Sequence, residues 1–206
     1  MYKISEQKNF VALQDYGFTC RNYYTGQGGK EIGLTNDILN SLGIENDSIL
    51  VSPKIIPKLA AAEKALYEEG FGLVIKYGLI TIETTKKIVE LLEKNNPSKV
   101  NLPNQDNFPH ATGMAINVTL ADLTKDIHDK TLVVVGEELA LNNGARDGVN
   151  SYLRNFYKSL SDIESLRYQT LQNILKSFFI GAGFRTGSRM TYGNFELPNI
   201  KFAPRC

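Results

Sequence analysis

A chain of 206 residues with a formal net charge of +1 is long enough to bury one substantial core. Its 42% hydrophobic and 22% charged shares are ordinary for a globular protein, and the near-neutral balance leaves no electrostatic footprint for nucleic acid or an anionic membrane surface. No apolar run approaches the ~20 residues that span a bilayer, and Cys20 with Cys206 make neither a disulfide framework nor a zinc quartet.

The polar start, Met1 to Lys8, lacks the apolar centre of a signal peptide, so a cytoplasmic protein is expected. One domain over residues 1–206 is expected. Neither nucleic acid nor a membrane is expected as a partner, and the oligomeric state is left open.

The first apolar run, Phe10-Val11-Ala12-Leu13, reads as extended, and the cluster ending at Asn22-Tyr23-Tyr24-Thr25-Gly26 leads into a loop around Gly26, Gly28 and Gly29. Leu34 to Gly43 reads as a short helix capped by Thr35 and ended by Gly43. Ile49-Leu50-Val51 is a short extended segment stopped by Pro53. The clearest helix follows Pro57 and runs through Leu59-Ala60-Ala61-Ala62 to Glu69, with Gly70 at its C′ position. Gly72 to Tyr77 is then a buried-strand pattern.

A second helix spans about Glu83 to Asn95, with Ile88, Val89, Leu91 and Leu92 on its apolar side and Lys86, Lys87, Glu90, Glu93 and Lys94 solvated. Pro97 ends it, and residues 96–107 read as a loop. Next, Phe108-Pro109-His110-Ala111-Thr112-Gly113 places one of only two histidines before a glycine turn, and Met114 to Leu120 follows as a strand. Residues 122–130 form a polar connection holding His128. Thr131 to Val135 is a strand closed by Gly136. Residues 149–179 read as a long helix ended by Gly181 and Gly183, before a last strand within Met190 to Leu197.

The stretch His110-Ala111-Thr112-Gly113-Met114-Ala115-Ile116-Asn117 resembles the metal-binding segment of the zinc D-alanyl-D-alanine dipeptidases and carboxypeptidases, S-x-H-x-x-G-x-A-x-D. Other parts match that family in order. Phe18 to Gly26 is similar to its Y-A-T-x-x-N-F-T-G stretch, and Glu69-Gly70-Phe71-Gly72-Leu73 to its Q-G-x-G-L turn. Ala182-Gly183-Phe184 and the final strand are similar to its A-G-F turn and E-W-W-H-F strand. The resemblance implies an α+β fold with a central, mainly antiparallel sheet flanked by helices.

It also implies where the family's chemistry would sit, and four positions depart. Asn117 stands at the ligand aspartate, Ile80 at the substrate-clamping arginine, Thr191 at the general base and Asn194 at the third ligand histidine. A one-residue shift would put Met190 and Gly193 at the last two positions instead. Zinc hydrolysis needs a bound metal to acidify water and a base to take its proton. The resemblance therefore implies no metal and no cofactor, and a pseudoenzyme that binds a small amino-acid- or dipeptide-like molecule.

The expected site has His110 and Thr191 in the reactive positions and Tyr23, Tyr24, Tyr77, Asn117, Tyr192 and Asn194 lining it. These groups are largely neutral hydrogen-bonding side chains, suited to a small polar ligand. Two alternatives stand beside this reading. One is a repurposed metal-independent enzyme with His110 as acid or base; the other is a peptidase with a rebuilt metal site that recruits His128. His110 also reads as an ordinary hydrogen-bonded core residue.

Overall fold

Caps and turn glycines set several element boundaries among the described residues. The computed structural model describes residues 10–26, 29–30, 33–44, 48–95, 109–122, 162–186 and 194–198. The expected loop over 96–107, the strand Thr131 to Val135, His128, Thr191 and Tyr192 lie outside the described residues, as does the expected start of the long helix. The described part is α+β, as expected: helices with antiparallel strand pairs.

By chain packing the protein divides into two compact units, residues 1–56, 75–116 and 199–206 in one, and 57–74 and 117–198 in the other. A two-stranded sheet joins β1 (Val11–Ala12) to β2 (Leu50–Val51). A four-stranded sheet has the order β3 (Phe71–Tyr77), β4 (Ala115–Asp122), β6 (Asn194–Glu196), β5 (Arg185–Thr186).

In the first unit, β1 pairs antiparallel with β2, Val11 opposite Val51. The extended reading of Phe10 to Leu13 holds for Val11 and Ala12 alone; Leu13 already opens a 3-10 turn to Tyr16, closed by Gly17 at φ 82°. Leu13 is fully buried and its N–H bonds the Ile49 carbonyl, which draws the chain into that turn. Helix α1 (Asn36–Ser41) begins as the sequence predicts, with the Thr35 hydroxyl accepting from the Ile38 N–H at 3.3 Å.

Helix α3 (Ile82–Asn95) starts beside Thr81, whose hydroxyl accepts from the Thr84 N–H at 3.0 Å. Its buried face holds Thr84, Thr85 and Ile88, while Val89 and Leu91 are half-buried. The two threonines tolerate burial because each hydroxyl has a partner in the preceding turn, Thr84 on Thr81 Oγ1 and Thr85 on the Thr81 carbonyl. Leu34, Leu39 and Ile88 form a small core against which Tyr24, Ile38, Leu42, Ile44 and Leu91 pack.

In the second unit, α2 (Ile56–Glu68) buries Leu59, Ala62 and Leu66 on one stripe. Pro57 sits in its first turn, where a missing N–H costs nothing. Gly70 adopts φ 83° directly before β3, the conformation that makes glycine the usual helix terminator. The long helix is described as α4 (Asp162–Gly181). Gly181 is its last helical residue, so Gly183 alone, at φ 87°, performs the termination expected of both glycines.

The Phe184 N–H returns to the Phe179 carbonyl at 2.9 Å, and the Lys58 ammonium donates to the Gly183 carbonyl at 3.0 Å. A cation on the exposed carbonyls of a helix end also complements the helix dipole. The strand β5, which the sequence reading did not foresee, pairs antiparallel with β6, Arg185 opposite Glu196 and Thr186 opposite Phe195. No helix among the described residues is long and apolar enough to cross a membrane.

The core of this unit centres on Phe179, fully buried, stacked on Phe195 with ring centroids 4.2 Å apart and touching Phe184 at 5.1 Å. Replacing Phe179 by alanine is expected to cost about 3–5 kcal/mol, the range for deleting a buried aromatic ring. Urea denaturation of the variant measures it, and a loss far below that range would show the stack to be dispensable.

Candidate functional site

Four of the residues singled out in the sequence come together in the first unit. His110 lies in a 3-10 turn, Pro109–Thr112, and is only 2% exposed. That turn is self-bracing: the Thr112 hydroxyl donates to the Pro109 carbonyl at 2.6 Å and accepts from the Met114 N–H at 3.2 Å. The His110 carbonyl takes the N–H groups of Gly113 at 3.1 Å and Ile80 at 3.3 Å. Gly113 has φ 67°, and a Cβ there would meet the Phe10 ring at 2.6 Å and the Ser52 nitrogen at 2.9 Å. Only glycine closes this turn without displacing its neighbours.

The imidazole is oriented by the backbone. Its Nδ1 lies 2.8 Å from the Gly78 carbonyl oxygen, which can only accept, so Nδ1 carries the proton and donates it. In the neutral ring this makes Nε2 the acceptor nitrogen. Gly78 follows β3 and presses against β2, where a Cβ would approach the Leu50 carbonyl oxygen to 2.5 Å and Val51 Cγ1 to 2.8 Å. The Leu79 N–H binds that same Leu50 carbonyl at 2.7 Å. The sequence reading passed over Gly78, although a glycine directly after a strand pattern is the ordinary signal for such a close approach.

Beside the imidazole runs a file of tyrosine rings. Tyr77 touches His110 with ring centroids 4.7 Å apart, Tyr24 touches Tyr77 at 5.4 Å, and Tyr23 meets Tyr24 edge-on at 5.4 Å. Exposure falls along the file, from 37% at Tyr23, through half-buried Tyr24 and Tyr77, to buried His110. The segment bearing Tyr23 is fixed against the end of β3: Ile75 N–H bonds the Thr19 carbonyl, Arg21 N–H the Ile75 carbonyl, and Tyr23 N–H the Lys76 carbonyl. The Asn22 side chain accepts from the Tyr24 N–H at 3.0 Å and shapes the turn between the two tyrosines. Gly29 lies so close to the Tyr24 backbone that no side chain fits there.

Asn117 and Asn194 belong to the second unit, on the adjacent strands β4 and β6. Asn117 is 9% exposed, and the Asn194 Oδ1 is buried without a hydrogen-bond partner among the described residues. Ile80, at the position the resemblance gives to an arginine, is buried in the first unit. Among the described residues, no group of three histidine, cysteine or acidic side chains is placed to hold a metal ion.

One buried acid lies on the last strand, where the sequence indicated only an extended segment. Glu196 is 2% exposed; its Oε1 receives Arg185 Nε at 2.7 Å, while Oε2 has no hydrogen-bond partner among the described residues. Burial pushes its carboxyl above the ordinary glutamate value, against the lowering effect of the Arg185 charge and hydrogen bond.

No family model matches the chain, and no curated protein matches it. Among solved structures it is similar to the vancomycin resistance D,D-pentapeptidase VanY from the VanB-type resistance cassette, in complex with Zn(II). The likeness has a TM-score of 0.41 at 11% identity, over 74% of this chain and 75% of that one.

Burial holds the Tyr24 phenol well above its ordinary value, with the neighbouring Tyr77 and Tyr23 adding to the rise. The folded state therefore keeps this proton after the unfolded chain has lost it. Stability is undiminished below the ordinary tyrosine value of 10.0 and falls as pH rises from there toward the raised folded value. Alkaline denaturation midpoints of the wild type and Tyr24→Phe check this, and the variant is expected to lose less stability above that pH.

Proposed function

We propose that this chain is a D-alanyl-D-alanine dipeptidase-like protein without the family's zinc site, which binds a small amino-acid- or dipeptide-like molecule beside His110. The observation that carries the reading is the imidazole held by the Gly78 carbonyl through Nδ1, with Tyr77, Tyr24 and Tyr23 filed beside it toward the surface. An oriented acceptor nitrogen next to aromatic faces suits a small ligand with an apolar body and a few hydrogen-bonding groups.

The donor chemistry does not fit the family's metal. Carried over residue by residue, the three ligand positions fall on His110, Asn117 and Asn194. One imidazole with two neutral amides is a poor set for a divalent transition metal, which prefers imidazole, thiolate and carboxylate. Thr191 offers no carboxylate base, and the buried, apolar Ile80 cannot clamp a carboxylate or a developing oxyanion. No hydrolytic step through a metal follows from these residues.

A second reading has one observation in its favour. A neutral imidazole with its proton on Nδ1 presents at Nε2 the lone pair a general base needs, so a metal-independent reaction of an amino-acid-derived substrate is consistent with the same geometry. Turnover separates the two readings; binding alone does not.

Elemental analysis after dialysis, run beside a dipeptide hydrolysis assay, is expected to find zinc well below equimolar and no release of D-alanine. Asn117→Asp alone is expected to restore neither, because the other positions remain changed. Calorimetric titration with D-Ala-D-Ala and free amino acids is expected to show saturable binding that His110→Gln weakens. Near-equimolar zinc with measurable hydrolysis would overthrow the proposal in favour of a rebuilt metal site.

A further inference from the structure

On β6, Asn194 and Glu196 are two residues apart and share one face of the strand, while Phe195 between them faces the opposite way, onto Phe179 of α4. The polar face carries two buried oxygens, Asn194 Oδ1 and Glu196 Oε2, neither with a hydrogen-bond donor among the described residues. A buried acceptor left without a donor is costly, and more so for a carboxylate. Arg185 does not remove the demand. It bonds Oε1, from a side chain half in solvent, and Oε2 has no hydrogen-bond partner among the described residues.

We propose that this face of β6 is a binding site for a primary ammonium group, which donates to Glu196 Oε2 and Asn194 Oδ1 together. An ammonium is a compact charge with three N–H donors, enough to serve both oxygens at once. A neutral hydroxyl supplies one donor and leaves the other acceptor unserved. A divalent metal needs a fuller ring of oxygens than one carboxylate and one amide provide. The molecule implied is a small amine, such as an amino acid or an amino-acid amide. The site lies wholly in the second unit and goes beyond the reading of His110, on which it does not depend.

The raised carboxyl of Glu196 accords with such a site, since burial is what lifts it, against the lowering effect of Arg185. A bound ammonium would lower it again by supplying the missing charge and hydrogen bond.

The test uses the full chain and D-alaninamide, which keeps a primary ammonium and has no carboxylate, with N-acetyl-D-alaninamide as the partner lacking the charge. Isothermal titration is expected to show saturable binding of D-alaninamide and none of the acetylated compound. Glu196→Gln is expected to weaken binding about tenfold, the size of one charge-assisted hydrogen bond. Asn194→Asp, which adds a second carboxylate, is expected to tighten it. Should Glu196→Gln fail to fold, the comparison of the two compounds on the wild type and the gain in Asn194→Asp still decide. Equal binding of both compounds, no saturable binding at tens of millimolar, or an unchanged affinity in both variants would overturn the proposal.

Discussion

The hydrogen bond from His110 Nδ1 to the Gly78 carbonyl joins two stretches of chain 32 residues apart, and the rest of the first unit is arranged around it. It ties the glycine turn after Pro109 to the point where β3 ends. The His110 carbonyl reinforces the tie by accepting from Ile80, two residues beyond Gly78. Because the acceptor is a backbone carbonyl, the choice of tautomer is made by the fold rather than by a titratable neighbour. A carboxylate in its place would have made the ring more basic and the orientation sensitive to charge.

The second unit solves a different problem with different means. Its centre is an aromatic stack, Phe195 on Phe179 with Phe184 beside it, and its helix end is held by the Lys58 ammonium on the Gly183 carbonyl. One strand serves both faces of this arrangement. Phe195 belongs to the apolar stack, while its neighbours Asn194 and Glu196 put polar atoms in buried surroundings. A strand of three residues thus joins an apolar core to a polar face, and its partner β5 is held in register by the Arg185–Glu196 ion pair.

The elements that were legible in the sequence are those governed by local chemistry. Thr35 announced α1 because a hydroxyl before a helical run has few other uses, and Gly70 announced the end of α2 because a positive φ excludes most side chains. The file of Tyr23, Tyr24, Tyr77 and His110 was legible as a set of residues, through resemblance, but not as a file of rings. Ring contacts depend on which strand segments lie side by side, and no local pattern encodes the pairing of Thr19–Tyr23 with the end of β3. Glu196 was read as a strand residue next to Phe195; its burial depends on β5, two residues long and lacking any apolar alternation of its own. The buried threonines of α3 were passed over for the same reason, because their partners come from the turn before the helix.

The chain has ten tyrosines and no tryptophan, so its ultraviolet emission and the long-wavelength part of its near-ultraviolet dichroism are dominated by tyrosine. Three of those phenols stand in contact, and the middle one meets its neighbours at centroid separations of 5.4 Å on either side. Transition dipoles held that close at fixed angles couple, so the file gives the folded protein an optical signature that isolated tyrosines lack. Any molecule that parts the rings or settles against them alters that signature directly. The arrangement beside His110 thus carries its own reporter, and no label has to be introduced to read it.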